Sequence, residues 1–166
     1  MQEFYYKLIE DGSYCVLGYR GDEERVNVPA SYGGLPVTVL NDRLFRGHEE
    51  ITDLYLPDSV TDMGEFLFEG CVSLRRVKLP AQLRTLWGCT FARSSLEEIV
   101  LPDQVQTLPS GACRDCRQLK RISGGVGLRR VYPWAFEGCP ELAETSFGPE
   151  VQISPEAFAP RPRGKA

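Results

Sequence analysis

The chain has 166 residues, of which 42% are hydrophobic and 25% charged, and its formal net charge at pH 7 is −4. This length and composition predict one folded domain with a sizeable core, and the acidic balance argues against nucleic acid as a partner. No apolar run approaches the roughly 18 residues of a membrane span, and no secretory signal is visible at the N-terminus. We therefore expect a cytoplasmic protein without membrane insertion.

The first 27 residues are predicted to form a β-hairpin. FYYKLI and YCVLGY are short segments rich in aromatic and aliphatic residues, and EDGS between them contains a glycine suited to a turn. The hairpin precedes a repeat stack, which would otherwise expose apolar surface at its end, so we interpret it as an N-terminal cap.

From residue 28 onward the chain repeats with a period of about 23 residues. The pair Leu-Pro recurs at 56–57, 79–80 and 101–102. A second series, which we call the marker positions, keeps the same spacing: Phe45, Phe68, Phe91, Cys113, Phe136 and Phe158. The third unit is one residue shorter than the others, and the missing residue falls in ARSS (92–95). Two series in register indicate a repeat protein.

Each unit carries two short segments with apolar residues two and three positions apart. The first has the pattern L-x-x-V-x-L, as in LRRVKL (74–79) and LEEIVL (96–101), and the second runs V-x-x-M, as from Val60 to Met63. Such short runs, interrupted by proline and glycine, are typical of strands and corners. Because one unit cannot bury its own apolar face, the units must stack, with parallel strands about 4.8 Å apart.

Inside this stack we expect aromatic and leucine columns. Three marker phenylalanines are predicted to stack on one another: Phe68, Phe91 and Phe136. The leucines of the Leu-Pro pairs are predicted to point inward, with the proline ending each strand where no N–H is needed: Leu56, Leu79 and Leu101. Three glycines are expected to permit tight corners: Gly64, Gly70 and Gly138.

The unit resembles the BspA-like leucine-rich repeat, L-P-x-x-V-x-x-I-G-x-x-A-F-x-G-C-x-x-L-x-x-V-x. The matching residues of the unit that begins at position 56 are Leu56-Pro57, Val60, Met63-Gly64, Leu67-Phe68, Gly70-Cys71, Leu74 and Val77. The resemblance implies a bacterial protein of α/β or mainly β class, with a right-handed solenoid of about five to six repeats. It divides the chain into a capping hairpin (1–27), a solenoid (28–159) and a flexible basic tail (160–166).

Six cysteines raise the alternatives of a disulfide, a metal site or a catalytic thiol. Cys71, Cys116 and Cys139 occupy the repeat's own cysteine position and Cys113 a marker position, so we interpret them as free, buried packing residues. Cys113 and Cys116 have C-x-x-C spacing, but neither further metal ligands nor a thioredoxin-like setting accompanies them. We predict no catalytic residue, metal or cofactor. A disulfide between Cys116 and Cys139, and an enzyme built on Cys113 or Cys116, remain alternatives.

Charged residues alternate in sign from unit to unit along the L-x-x-V-x-L segments. The series at one position is Asp53, Arg76, Glu98, Arg121 and Glu144. Opposite charges on neighbouring strands attract each other, so this face is predicted to neutralise itself and to fix the register. A phosphate backbone requires a stripe of one sign, which again argues against nucleic acid.

Four large aromatic residues form the candidate binding site. Trp87 and Tyr132 stand where the repeat has Gly64, whereas Phe66 and Trp134 lie two residues before a marker position. Because the marker columns fill the interior, we expect these rings at least partly exposed at an outer corner, as anchors for a protein partner. Three arginines are predicted as polar neighbours: Arg84, Arg129 and Arg130. The plainer interpretation is that the rings cover the cap or one another.

The sequence therefore predicts a non-catalytic protein–protein interaction module. Many members of the family it resembles are extracellular, so the alternative is a cell-surface adhesin or glycan-binding module that has lost its signal. Association of two copies through a solenoid end also remains open. The identity of the partner is not encoded in any recognisable motif.

Overall fold

The computed structural model describes residues 1–163 and shows a mainly β solenoid, with no helix in that part of the chain. The strands, in chain order, are β1 Glu3–Leu8, β2 Tyr14–Arg20, β3 Arg25–Asn27, β4 Ser31–Tyr32, β5 Leu35–Leu40, β6 Asp53–Tyr55, β7 Asp62–Met63, β8 Thr85–Leu86, β9 Glu98–Val100, β10 Thr107–Leu108, β11 Arg121–Ser123, β12 Arg130–Val131, β13 Glu144–Ser146 and β14 Gln152–Ile153. The predicted solenoid of short strands is confirmed. The last three residues of the predicted tail lie outside the described residues.

The solenoid has six coils, each with a first segment, a corner, a second segment and a turn that carries the marker position. We number them by residues: coil 1, 24–50; coil 2, 51–73; coil 3, 74–95; coil 4, 96–118; coil 5, 119–141; coil 6, 142–159. First segments form flat A, in which β3 pairs with β6, and β11 pairs with β9 on one side and with β13 on the other. Second segments form flat B, in which β5, β7 and β8 pair in order, as do β10, β12 and β14. All these pairings are parallel.

The N-terminal hairpin extends flat B and closes the first coil. Strand β1 pairs antiparallel with β2, and β2 pairs parallel with β5 of coil 1. The ring of Tyr19 lies 5.1 Å from Phe4 and 5.9 Å from Phe45, the first marker residue. The hairpin therefore covers one end of the marker column. At the other end, coil 6 leaves Ile153 and Phe158 exposed, and association of two copies there stays a prediction.

The marker phenylalanines form the centre of the core, but their column is interrupted. Phe45, Phe68 and Phe91 stack almost in parallel, with ring centroids 6.4 and 6.1 Å apart. The next marker, Cys113, is fully buried but has no ring, so Phe136 packs instead against Phe147 and Phe158. The predicted stack is therefore confirmed for Phe68 and Phe91 and wrong for Phe136, which is buried but does not reach them. Of the three corner leucines, Leu79 and Leu101 are buried and Leu56 is half-buried.

The turns of coils 1 to 5 each contain two residues with left-handed backbone, two positions before and two after the marker. The residues before the marker are Arg43, Phe66, Cys89, Gly111 and Trp134, and those after it are Gly47, Gly70, Arg93, Asp115 and Gly138. The predicted corner roles of Gly70 and Gly138 agree with this. Gly64 differs, since its φ is not positive. A Cβ there would lie only 2.5 Å from the backbone nitrogen of Asp42, so close packing excludes a side chain.

The strand predicted at 74–79 is not formed. Within residues 1–163 no backbone ladder bond joins segment 76–79 to coil 2 or to coil 4. The interruption adjoins the shortened connection at 92–95. On flat B, β8 and β10 likewise do not pair with each other, and Pro109 has no N–H that could donate to the carbonyl of Leu86.

Candidate functional site

Trp87 and Tyr132 project from the same position on flat B. Each follows a buried residue, Leu86 or Val131, and the alternation of a strand therefore turns its ring outward. Trp87 is 55% exposed and Tyr132 is 37% exposed. They lie two coils apart, on opposite sides of the interruption between β8 and β10. Two regular strand spacings would amount to about 10 Å. These two rings meet the prediction of large exposed aromatics.

Phe66 and Trp134 occupy the left-handed position before the marker and are half-buried. Their φ angles are 51° and 61°, a conformation that costs a bulky residue about 1 kcal/mol or more. Coil 4 has Gly111 at this position, which avoids that cost. The backbone N–H groups donate to the next coil, Phe66 to Cys89 O and Trp134 to Glu156 O. The hydrogen bonds between coils hold the backbone of these two large residues in a strained conformation.

Arginines already contact two of the four rings. The guanidiniums of Arg43 and Arg93 lie 5.0 and 6.0 Å from the centroid of Phe66, and that of Arg130 lies 5.8 Å from the centroid of Tyr132. These are cation–π distances. Phe66 is therefore engaged within the chain more than Trp87 is. Within residues 1–163 the structure records no ring–ring contact among the four. We call Phe66, Trp87, Tyr132 and Trp134 the aromatic corner.

The three predicted arginines differ in whether the guanidinium group already makes hydrogen bonds within the chain. Arg84 and Arg130 are exposed on flat B. Arg129 is also exposed, but its Nη1 donates to the carbonyls of Val126 and Leu128, at 2.7 and 3.0 Å, and is thereby tied to its own corner. Arg130 is the predicted arginine that directly accompanies an aromatic ring.

Hollows adjoin both exposed rings. A cavity of about 280 Å³ lies between Trp87, Gly64 and Asp42, and one of about 260 Å³ lies beside Tyr132, bounded by Ile153 and Pro155. The sequence analysis missed Asp42, Ile153 and Pro155. The first hollow could have been predicted from the sequence, because Gly64 and Trp87 occupy the same repeat position in adjacent coils. A glycine at that position leaves space beside the tryptophan ring.

The cysteines of the repeat donate hydrogen bonds to backbone carbonyls inside the stack. All six cysteines are free thiols. The Sγ of Cys71 donates to Phe45 O at 3.0 Å, that of Cys116 to Phe91 O at 2.9 Å, and that of Cys139 to Cys113 O at 2.9 Å. In each case the acceptor is the marker residue one coil earlier. The interpretation of these thiols as packing residues agrees with this geometry.

Their acid–base properties do not favour a nucleophile. Burial raises the pKa of Cys71 to about 12. The hydrogen bond with Cys116, and then burial, raises the pKa of both Cys113 and Cys139. The same bonds lower the pKa of Cys116, but Cys116 has no exposed surface through which a substrate could reach it. Among the described residues, no group of three or more Cys, His, Asp or Glu side chains is arranged to hold a metal ion.

Thiol labelling tests this arrangement. In the native protein near pH 8 we expect a disulfide reagent to modify Cys89 first. Cys89 and Cys139 are both half-exposed, but the thiol of Cys139 is engaged in a hydrogen bond to the carbonyl of Cys113. The buried thiols should react only after unfolding, since the thiolate is the reactive form. Mass spectrometry of the labelled peptides measures this order. Rapid labelling of Cys116 in the native state would support the enzyme alternative instead.

The stacked coils, the marker columns and the buried thiols of the repeat define the class of this protein as a leucine-rich-repeat solenoid. The chain belongs to the BspA type leucine rich repeat region family, whose repeat matches in six copies over residues 38–162. A search of curated proteins found no match. The described residues also contain no helix with the length and apolar character needed to cross a membrane.

Solved structures share the fold. The leucine rich repeat protein TpLRR of T. pallidum is 30% identical, with a TM-score of 0.72, and the match covers 90% of this chain and 82% of that chain. A leucine rich cell surface protein of Faecalibacterium prausnitzii is 21% identical, with a TM-score of 0.62 and coverages of 86% and 48%. The pneumococcal vaccine antigen PcpA is 20% identical, with a TM-score of 0.76 and coverages of 91% and 39%. The chain spans less than half of the latter two, and at these identities their likeness concerns the fold alone.

Proposed function

We propose that this protein is a non-catalytic module that binds another protein through the aromatic corner. The observation that carries the proposal is the pair of exposed rings, Trp87 and Tyr132, at one repeated position and each beside a hollow. Large aromatics next to concave surface are the usual anchors of protein interfaces. Arg130 beside Tyr132 supplies a polar contact of the kind enriched there.

The backbone that presents these rings is held by regular bonds between coils. The N–H of Trp87 donates to Met63 O at 3.1 Å, and that of Tyr132 donates to Leu108 O at 3.0 Å. A surface fixed in this way loses little conformational entropy when a partner binds. Binding by a preformed surface is therefore the activity that this geometry favours.

Capture experiments with matched variants test the proposal. We expect the Trp87→Ala/Tyr132→Ala double variant to keep its fold and to lose partner capture by about thirtyfold or more, since truncating a central anchor costs about 2 kcal/mol. The control is Tyr55→Ala, which removes an equally exposed ring from flat A. Capture from host lysate with crosslinking, followed by affinity measurement on the recovered partner, provides the comparison. Equal affinity of the double variant and the control would contradict the aromatic corner.

We also propose a cytoplasmic location, which the free thiols support because disulfides are rare in reducing compartments. The second candidate is a cell-surface adhesin or glycan-binding module, favoured by the description of the F. prausnitzii protein as a cell surface protein. Fractionation of host cells with an antibody against this chain distinguishes the two locations.

A further inference from the structure

The strand ladders of both flats are interrupted between coils 3 and 4, although Glu97 N–H still donates to Arg75 O at 2.8 Å beside the interruption on flat A. On flat B, β8 pairs only with β7, and β10 pairs only with β12. On flat A, β9 pairs with β11 but with nothing in coil 3. The turns nonetheless continue across the opening, since Phe91 N–H donates to Ala112 O at 2.8 Å and Arg93 N–H donates to Arg114 O at 2.9 Å. The opening is therefore a local separation of coil 3 from coil 4 along the flats, and the turns keep the solenoid continuous.

Backbone groups face this opening without a backbone partner. At the position of Leu79, coils 1, 4 and 5 donate to the next coil, whereas the described residues include no such bond from Leu56 of coil 2. The bonds run from Val28 to Tyr55 O, from Leu101 to Ser123 O and from Gly124 to Ser146 O, at 3.0, 2.9 and 3.1 Å. The same register would join Leu79 N–H to Val100 O, Val100 N–H to Val77 O, and Val77 N–H to Glu98 O. Residues 1–163 contain none of these three bonds. Six hydrogen-bonding groups thus line the two sides of the opening.

Apolar side chains line the opening between those two backbone edges. A cavity of about 420 Å³ is bounded by Val77, Leu79, Ala81, Val100 and Pro102. Val100 is 57% exposed, and Val77 is half-buried, whereas its counterparts Ile99 and Ile122 are fully buried. We call this cavity and its two backbone edges the coil 3–4 groove.

The rim of the groove carries two basic side chains, Arg76 and Lys78, and one carboxylate, Glu98. On flat A the alternating charges form ion pairs on either side of coil 3, between Arg25 and Asp53 at 3.5 Å and between Arg121 and Glu98 at 3.4 Å. Because Glu98 pairs with coil 5, it does not neutralise Arg76. Arg76 and Lys78 are exposed on the rim, and no ion pair involving either is recorded in the described part of the chain. Unpaired positive charge at the rim favours an acidic occupant.

We propose that the coil 3–4 groove binds an extended acidic peptide segment of a partner protein. The peptide backbone would bond to the free groups of Val77, Leu79 and Val100, as when a strand is added to an open sheet edge. An aliphatic side chain of the peptide would enter the cavity, and its carboxylates would meet Arg76 and Lys78. The groove lies on flat A, so this inference is independent of the proposed aromatic corner on flat B.

A titration of isotope-labelled protein with synthetic peptides tests the groove. The probe is a blocked heptapeptide of alternating aspartate and valine, and we expect its amide shift changes to centre on Val77, Leu79 and Val100. Two control peptides carry either N-methyl groups on the central amides or lysine in place of aspartate, and each should bind at least about tenfold more weakly. Equal binding of the N-methylated peptide, shift changes centred elsewhere, or no shift at millimolar peptide would overturn the proposal.

Charge reversal provides a matched protein variant. Arg76→Glu/Lys78→Glu changes two exposed side chains and should exchange the preference, so that the lysine peptide binds more tightly than the aspartate peptide. The Trp87→Ala/Tyr132→Ala variant should bind the aspartate peptide like the original protein, which separates failure here from failure of the aromatic corner. Sedimentation without peptide completes the test. A dimer that Arg76→Glu/Lys78→Glu disrupts but the aspartate peptide cannot dissociate would assign the groove to a second copy and contradict the peptide proposal.

Discussion

Replacing Phe68 with alanine is expected to lower the free energy of unfolding by about 3–5 kcal/mol. Phe68 has no exposed surface, and its ring lies between Phe45 and Phe91, 6.4 and 6.1 Å away. Truncation removes the buried ring and leaves a cavity between two coils that cannot close, because the backbone bonds between coils fix their separation.

Urea unfolding of the two proteins measures this difference. The matched control is Phe158→Ala, which changes another marker residue, but one that is 56% exposed at the last coil. The control should cost clearly less, about 1–2 kcal/mol, because the ring is only partly buried against Phe136 and its loss leaves no enclosed cavity. Similar costs at both positions, or a nearly neutral effect at Phe68, would contradict the internal column.

Replacing Gly64 with alanine is expected to cost about 1–3 kcal/mol through overpacking. The added Cβ would lie 2.5 Å from both the backbone nitrogen and the Oδ1 of Asp42. That carboxylate accepts a hydrogen bond from Glu65 N–H at 2.8 Å, so relief of the clash also disturbs a contact between coils. The same change narrows the hollow beside Trp87.

Gly88→Ala is the matched control for this prediction. A Cβ at Gly88 would meet nothing closer than 3.8 Å, and its φ is not positive. Alanine there should be neutral or slightly stabilising because it restricts the unfolded chain. Thermal unfolding of both variants gives the comparison. A Gly64→Ala protein as stable as Gly88→Ala would mean that coils 1 and 2 are not in close contact.

The interior of the fold was predictable because burial follows the repeat. Positions such as Leu67 and Val105 recur at the same place in every coil, so one unit's pattern determines which side chains face inward in the others. The exposure of Trp87 and Tyr132 could be predicted by elimination, because they occupy a repeat position that the core does not use. These inferences need only spacing and residue type.

The opening between coils 3 and 4 was not predictable from the same pattern. LRRVKL (74–79) fits the strand motif as well as LEEIVL (96–101), yet only the second segment forms a strand. Pairing depends on the path of both neighbouring coils, which the shortened segment 92–95 alters. Pro109 was a visible signal on flat B, because a proline cannot donate the ladder bond at its position. The hollow beside Trp87 likewise depends on three coils, and the hollow beside Tyr132 depends on two.

Residue-resolved amide exchange in the native protein tests the stacking of coils most directly. The N–H groups of Gly64, Trp87, Tyr132 and Ser154 occupy one repeated position and donate to the preceding coil at 2.9–3.1 Å. We predict that all four exchange orders of magnitude more slowly than in an unfolded chain, as bonded core amides do. Exchange of these amides at the unfolded rate would contradict the solenoid on which every other inference rests.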